Sequence, residues 1–240
     1  MVRRWHNKSI PQTILYIEDD DKIRIVLSAA LEDEGYVVVT AETGEIGIEL
    51  VEVHTIDLAI VDLRLPGING FEVVRELRKK STIPIVIFTA HGDSHDVVAG
   101  LEAGADDFLA KPIGSKELAA RLRAILRRAH VGIGSEGPID VKDGDVCLRP
   151  GTHESFVGDA TLALTRTEFE VIVQLATRSP KTVSRTELLD CVWGYDYLGD
   201  SRLVDVAIGR LRAKVEADPA APALVLTVRG AGYKAARTAG

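Results

Sequence analysis

Residues 60–67 read Ile60-Val61-Asp62-Leu63-Arg64-Leu65-Pro66-Gly67, an apolar run that closes on one carboxylate and turns at a Pro-Gly pair. With Leu58 and Ala59 in front of it, the run has the character of a parallel strand buried on both faces. Asp62 then sits at the strand's carboxyl end. Ligands of open α/β sheets bind in the crevice outside those ends, which places Asp62 for chemistry rather than for packing.

Outward from Asp62, the first half of the chain alternates strands with helices. Residues 13–17 are a short apolar strand, and Ile23, Val26, Leu27, Ala30 and Leu31 recur at helical spacing before Gly35 stops the helix. Residues 36–40 form a β-branched strand, and Ile46, Leu50 and Val53 mark a second helix. After the strand at 58–61, Phe71, Val74 and Leu77 line a third helix closed by Lys79 and Lys80, cations that favour a helix C-terminus. Residues 84–89 are a fourth strand, 97–103 a helix ended by Gly104, and 108–110 a fifth strand. Leu118, Leu122, Ile125 and Leu126 are the inward stripe of a long last helix. Five such units predict a doubly wound parallel sheet.

The strand ends carry the chemistry. Strand one runs into Glu18-Asp19-Asp20, strand three into Asp62, strand four into Thr89 and strand five into Lys111. In the flavodoxin-like order 2-1-3-4-5, strands one and three meet at the switch point, which brings Glu18, Asp19 and Asp62 into one crevice. Three carboxylates that close repel unless a cation joins them, and all-oxygen ligands with room for water suit Mg²⁺. Thr89 adds a hydroxyl and Lys111 an ammonium, a set suited to phosphoryl transfer. Asp20 and Asp21 are assigned to the start of the following helix, where acids are favoured.

Composition frames this reading. The chain has 240 residues, 46% hydrophobic and 27% charged, enough for one large or two ordinary domains. No segment reaches the roughly 18 apolar residues of a membrane span, and the start lacks the apolar stretch and cleavage site of a signal peptide. A cytoplasmic protein with no membrane partner is expected. Cys147 and Cys191 are far apart and without paired His spacing, so they are read as buried thiols, not a disulfide or zinc site. The net charge of −7 is unevenly spread. Residues 1–130 hold 16 Lys/Arg against 21 Asp/Glu, or −5, while residues 199–240 hold 7 against 4, or +3. Local positive charge sets affinity for nucleic-acid phosphates, so the overall acidity does not exclude such a partner.

Ile14-Leu15-Tyr16-Ile17-Glu18-Asp19-Asp20, the Asp62 loop, Phe88-Thr89-Ala90 and Asp106-Asp107-Phe108-Leu109-Ala110-Lys111-Pro112 together resemble the receiver domain of two-component response regulators, over residues 13–130. The resemblance implies that Asp62 accepts a phosphoryl group from a sensor histidine kinase. It implies that Asp19 ligates Mg²⁺ directly, Glu18 through water, and that Asp62 and the Arg64 carbonyl complete the set. Thr89 and Lys111 would bind the phosphoryl oxygens, and Lys111-Pro112 would be a cis peptide, accessible mainly to X-Pro bonds. Arg64 and His91 border the site, read equally as tuning dephosphorylation or as solvated surface. Thr89 and Phe108 would be the switch pair, although Phe108 stands where such regulators commonly have Tyr. Val97 stands where this branch often has Lys or Arg, which leaves Glu117 without that partner. A homodimer formed on phosphorylation would use Asp106, Asp107, Arg121, Arg123 and Arg128. Surface pairs contribute about 0–1 kcal/mol each, so one missing pair need not abolish the dimer.

Residues 129–138, Ala-His-Val-Gly-Ile-Gly-Ser-Glu-Gly-Pro, read as a flexible linker. The predicted organisation is an extension at 1–12, a receiver at 13–130, a linker at 131–140 and a second domain at 141–240. Short β-like runs at 146–148, 155–157 and 161–164 precede two capping boxes, Thr165-x-x-Glu168 and Ser184-x-x-Glu187, each opening a helix. Phe169, Ile172 and Leu175 face inward from the first, Leu188 and Leu189 from the second, and Trp193 is a core anchor. A third helix from near Ser201 buries Val204, Ile208, Leu211 and Val215. Its other face holds Arg202, Val206, Gly209, Arg210 and Ala213, small residues flanked by Arg that allow close approach to a DNA groove. Residues 224–233 read as a hairpin with Arg229 at its tip.

Leu164-Thr165-Arg166-Thr167-Glu168-Phe169, Val192-Trp193-Gly194, residues 202–214 and Thr227-Val228-Arg229-Gly230-Ala231-Gly232-Tyr233 resemble the α+β winged-helix output domain of the OmpR/PhoB branch. The resemblance implies major-groove readout of promoter DNA at tandem half-sites by the third helix and a minor-groove or backbone contact by Arg229. It also implies a loop at 194–200 facing RNA polymerase. Ala207 and Gly209 replace a commonly seen His and a frequent basic residue, which predicts weaker phosphate contact or an unusual site. Arg212 and Lys214 are read equally as DNA contacts or as solvated side chains. The function expected is transcription regulation controlled by phosphorylation of Asp62, without turnover catalysis. The alternatives are a phosphorylation-independent DNA-binding regulator whose receiver only dimerises, and a haloacid-dehalogenase-like phosphatase. The latter needs a second acid where Arg64 stands.

Overall fold

A computed structural model describes residues 11–90, 93–128, 138–141, 145–194 and 202–236. His91, most of the N-terminal extension and of the linker, the 195–200 loop and the Arg128 side chain lie outside the described residues.

The first domain runs β1 (Thr13–Ile17), α1 (Asp21–Asp33), β2 (Val37–Ala41), α2 (Gly44–Val53), β3 (Leu58–Val61), α3 (Gly70–Lys80), β4 (Ile85–Thr89), α4 (Ser94–Ala103), β5 (Asp107–Ala110) and α5 (Ser115–Arg128). All strands pair in parallel, in the order β2-β1-β3-β4-β5. Each residue of β3 and β4 is buried, as expected for strands covered by helices on both faces. One core layer joins Leu15, Ile17, Val61 and Ile87 to Val74 and Leu77 of α3. The opposite layer joins Ile14, Tyr16, Ile60 and Phe88 to Leu118 and Leu122 of α5. Alternation along each strand therefore divides the apolar residues between the two helical layers.

Local signals open the helices. Asp20 caps α1 by accepting from the Lys22 and Ile23 amides, as its assignment to that helix start predicts. Asn69 caps α3 through the Glu72 amide. Such caps supply acceptors to amides that have no partner inside the helix.

The second domain opens with an antiparallel sheet of β6 (Ile139–Val141), β7 (Val146–Arg149), β8 (Glu154–Val157) and β9 (Ala160–Thr161). Three helices follow, α6 (Arg166–Thr177), α7 (Arg185–Trp193) and α8 (Arg202–Val215), then the hairpin of β10 (Val225–Val228) and β11 (Gly232–Ala235). Both capping boxes form with reciprocal hydrogen bonds. Val204, Ile208, Leu211 and Val215 are buried on one face of α8, as their spacing predicts.

Three expectations need correction. The strand read at 161–164 ends at Thr161, because Leu164 N turns back to Leu162 O and Thr165 already caps α6. Residues 139 and 140, read as linker, pair with Leu148 and Cys147 in the sheet; three residues are too few to show a period. The two cysteines are in no disulfide, but neither is fully buried: Cys147 is partly buried and Cys191 is exposed.

The two domains pack together through α4 and α8. Leu101 of α4 is only 2% exposed because it joins the core of the second domain, and Val97 packs beside it.

Candidate functional site

The sheet order brings the ends of β1, β3, β4 and β5 to one rim. Glu18 follows β1, and its amide donates to the Ala41 carbonyl of β2 at 3.0 Å. Asp62 follows β3, its amide bonded to Ile17 O at 3.0 Å. Lys111 follows β5, its amide bonded to Thr89 O at 2.7 Å. Ladder hydrogen bonds thus place the functional residues against one another before any side chain is considered.

The side chains then converge. Lys111 Nζ lies 2.5 Å from Asp62 Oδ2 and pairs with Glu18 Oε2 as well. The other Asp62 oxygen, Oδ1, accepts the Arg64 amide at 3.0 Å. Glu18, Asp62 and Thr89 are buried, while Asp19 and Arg64 stand at the exposed rim. The Lys111-Pro112 peptide is cis, as the receiver resemblance implies. The result is a pair of buried carboxylates from neighbouring strands sharing one cation, with a threonine from the next strand alongside.

The donor set fits a hard divalent cation. Glu18, Asp19 and Asp62 offer only oxygen, which suits Mg²⁺ better than soft metals. Among the described residues no three carboxylate, histidine or cysteine side chains close into a complete cluster. Asp19 faces solvent, and the Lys111 ammonium joins the other two acids.

Several residues that shape the site have no motif to announce them. Tyr16 donates its hydroxyl to Glu18 Oε2 at 2.8 Å. Burial, with the Glu18 carboxylate adding, pushes that hydroxyl far above its ordinary range and keeps it a donor. Arg24 reaches back from α1 to the carbonyls of Glu18 at 2.6 Å and Asp19 at 3.2 Å, which fixes the acidic loop. The Phe88 ring lies 5.2 Å from Lys111 Nζ. Gly70 opens α3 so close to the Asp62 loop that a Cβ there would lie 2.2 Å from the Asp62 carbonyl oxygen. A single hydroxyl-bearing residue within the apolar run Ile14 to Ile17 is the sequence signal for the first of these.

The residues expected on a dimer face are differently placed. Asp106 is buried, pairs with Arg78 and accepts the Ile85 amide at 2.9 Å. Asp107 is buried too and bonds the Phe108 amide at 2.8 Å. Arg121 pairs with Glu117 along α5 at 3.3 Å, so Glu117 has a partner despite Val97. Arg123 reaches Glu34 beyond α1 at 2.5 Å. Phe108 is half-buried against the core layer that includes Ile87.

On α8, Arg202 and Gly209 lie outside the core, Val206 is half-buried and packs against it, and Arg229 is exposed at the hairpin tip. Arg212 is not simply solvated: it donates to Val225 O at 2.9 and 2.6 Å and to Thr227 Oγ1 at 2.8 Å, tying α8 to the hairpin. Nor is Lys214, which bonds Glu168 Oε2 at 2.6 Å and Ala163 O at 2.9 Å. Arg210 pairs with Glu168 at 3.2 Å and donates to Ala105 O of the first domain at 2.8 Å. Glu168 therefore serves both its capping box and two cations of α8, a role that its position in the motif does not disclose. Asp205 accepts from Arg185 and from the Tyr233 hydroxyl, both at 2.7 Å, and so joins α7, α8 and the hairpin.

An acidic strand-end site on a 2-1-3-4-5 sheet, joined to a winged helix, defines a receiver-type regulator with an output domain. Comparisons with known proteins make the assignment specific. The description "Response regulator receiver domain" matches residues 14–123, and "Transcriptional regulatory protein, C terminal" matches residues 159–235. The transcriptional regulatory protein AfsQ1 of Streptomyces coelicolor is 44% identical over 222 residues, 92% of this chain and 97% of that one. The DNA-binding response regulator MtrA of Mycobacterium tuberculosis is 43% identical over 225 residues, 93% and 96% of the two chains. PhoP of Bacillus subtilis, a regulator of alkaline phosphatase synthesis, is 39% identical over 230 residues, 92% and 95% of the two chains. Among solved structures, a RitR mutant superposes with a TM-score of 0.75 at 25% identity, covering 95% of this chain and all of that one. The chain belongs to the OmpR/PhoB family of two-component response regulators. No helix among the described residues is long and apolar enough to cross a membrane.

Proposed function

We propose that this protein is a cytoplasmic transcription factor switched by phosphorylation of Asp62. The observation that carries the reading is the convergence of Lys111 on Asp62 and Glu18 at the rim formed by the ends of β1, β3 and β5. An Asp62 carboxylate oxygen attacks the phosphorus of a kinase phosphohistidine. The new O–P bond forms as the P–N bond breaks, and the electron pair leaves with the imidazole. Glu18, Asp19, Asp62 and the Arg64 carbonyl would hold Mg²⁺, which supplies neutralisation of the charge spread over the equatorial phosphoryl oxygens. Lys111 and Thr89 contact the same oxygens, so transfer needs positioning and charge more than a proton relay. The protein is a substrate of one transfer and not a turnover enzyme; water slowly hydrolyses the acyl phosphate, with Arg64 at the exposed rim beside it.

Phosphorylation adds charge at the end of β3, and Thr89 and Phe108 are the residues that respond. The responsive face, with Arg121, Arg123 and Arg128, then pairs two copies, a step that requires Asp106 and Asp107, buried in the single chain, to be uncovered. Two winged helices thereby reach tandem half-sites on promoter DNA, with Arg202, Val206, Arg210, Arg212, Lys214 and Arg229 at the interface. The loop at 194–200 faces RNA polymerase. The test is DNA affinity and oligomeric state at fixed salt, with and without acetyl phosphate and Mg²⁺, for wild type and Asp62→Asn. Tighter binding and dimerisation in the wild type alone are expected; equal behaviour of both proteins throughout would assign the phosphorylation-independent regulator instead.

A further inference from the structure

One buried oxygen at the acidic rim receives two donors. Glu18 Oε2 accepts the Tyr16 hydroxyl at 2.8 Å and also pairs with the Lys111 ammonium. Lys111 at the same time holds Asp62 Oδ2 at 2.5 Å, whereas Asp62 Oδ1 accepts the Arg64 amide at 3.0 Å. Strand geometry produces the first of these contacts. Residues 16 and 18 are two apart in extended chain and so project from the same side of the sheet. Tyr16 stands between Thr40 of β2 and Ile60 of β3, and beyond the strand's last residue the Glu18 amide still reaches the Ala41 carbonyl at 3.0 Å.

The two donors differ in freedom. The Tyr16 side chain is fully enclosed with Leu31, Leu58, Ile60 and Leu118 in one core layer, so its hydroxyl cannot swing out to water. Lys111 follows the last residue of β5, and its flexible four-carbon stem gives the ammonium the range that the ring lacks. Charge then separates the two acids. Once Asp62 carries a phosphoryl group, the new anionic oxygens lie on the Asp62 side. An ammonium that follows them keeps its Asp62 side and gives up Glu18. Glu18 is only 2% exposed, and a buried carboxylate oxygen left without a donor is costly. Tyr16 is already bonded to the oxygen that Lys111 vacates.

We propose that Tyr16 is a positioning residue that lets Lys111 pass from Glu18 to the phosphoryl oxygens, its hydroxyl retaining Glu18 Oε2 as the ammonium leaves. This hand-over rests on the phosphorylation of Asp62 proposed above. No proton moves in it: the Tyr16 hydroxyl stays protonated, Lys111 stays an ammonium, and the O–P and P–N bond changes at Asp62 are those already described. Phenylalanine at position 16 keeps the ring packing but leaves Lys111 as the side-chain donor to Glu18 Oε2 among the described residues. Glu18 then holds the ammonium back from the phosphoryl group.

The test compares full-length wild type, Tyr16→Phe and Leu31→Ala, with phosphorylation by acetyl phosphate at saturating Mg²⁺ followed by intact mass. Leu31→Ala hollows the same core layer from α1 and controls for packing. Tyr16→Phe is expected to lower the maximal rate about tenfold, the low end of what a hydrogen bond to a charged group is worth. The half-saturating acetyl phosphate concentration should not change. Binding of fluoroberyllate, a phosphoryl mimic, followed by fluorine NMR with Mg²⁺ present, should weaken by about the same factor. Leu31→Ala should keep the wild-type values in both measurements. In a Glu18→Gln background Tyr16→Phe should lose most of its effect, because no buried charge is then left behind; single-variant losses that simply multiplied would overturn the hand-over. Wild-type rate and fluoroberyllate affinity in Tyr16→Phe, or an equal loss in Leu31→Ala, would also overturn it, while the responding wild type would leave phosphorylation of Asp62 standing. A wild type that neither took up phosphate nor bound fluoroberyllate would overturn the proposed function itself, and the hand-over with it.

Discussion

Lys111 Nζ stands 2.5 Å from Asp62 Oδ2 while also pairing with Glu18, so one ammonium serves two buried carboxylates that come from different strands. Replacing it with Met leaves both acids without their cation in a site of low exposure. Removing one partner of a buried pair costs about 3–5 kcal/mol. Lys111→Met should lose about that much stability in urea unfolding and should no longer take up phosphate from acetyl phosphate. A variant as stable as wild type would mean that the Tyr16 hydroxyl, the Arg64 amide and water already satisfy Glu18 and Asp62.

Tyr16→Phe isolates the hydrogen bond that the motifs did not disclose. Hydrogen bonds to charged groups are worth about 1.5–3 kcal/mol, and both partners here are buried. The unfolding free energy should fall by about that amount, with no change in m-value. A change below about 0.5 kcal/mol would show the Tyr16 hydroxyl to be a spectator.

Gly70→Ala tests how tightly α3 approaches the Asp62 loop. Helix propensity alone would favour Ala by up to about 1 kcal/mol. The new Cβ, however, would lie 2.2 Å from the Asp62 carbonyl and 2.6 Å from Leu63 Cα, both backbone atoms that cannot rotate away. Overpacking of this kind costs about 1–3 kcal/mol, so the variant should melt lower and accept phosphate more slowly. A rise in melting temperature would refute the close approach.

Two helix-start carboxylates give a pH dependence of defined sign. The Asp96 and His95 amides hold the Asp93 carboxyl below its ordinary value of 3.8, and the Ser184 amide and hydroxyl hold Glu187 below 4.5. A depressed carboxyl contributes stability that is complete above its unfolded value and is lost as the pH falls through its folded value. Asp93→Asn with Glu187→Gln keeps both caps but removes their titration. Between pH 5 and pH 3 the double variant should therefore lose less melting temperature than wild type. Parallel curves would place the acid sensitivity elsewhere.

Much of the fold is readable locally. The unbroken apolar run 58–61 becomes β3 with the same bounds, because a strand covered on both faces has no polar position to blur its ends. The capping boxes at Thr165 and Ser184 open α6 and α7 where they stand. Strand β6 escaped notice because it borders a Gly-rich segment and is three residues long. The exposure of Cys191 escaped because a small apolar residue in a short helix is compatible with either face.

The sequence by itself determined the sheet, the two-domain organisation and the meeting of Glu18, Asp62, Thr89 and Lys111. Each of those residues directly follows or ends a strand, and a strand order then suffices to bring them together. Only the tertiary structure decided what the long side chains do. Tyr16, Arg24, Arg78 and Glu168 each choose among several acceptors or donors within reach, and the choice depends on how helices settle on the sheet. The pairing of Arg210 with Ala105 joins residues 105 positions apart. It depends on the docking of one folded domain on another, for which no local period exists, since apolar patterning records that a face is buried but not which surface buries it.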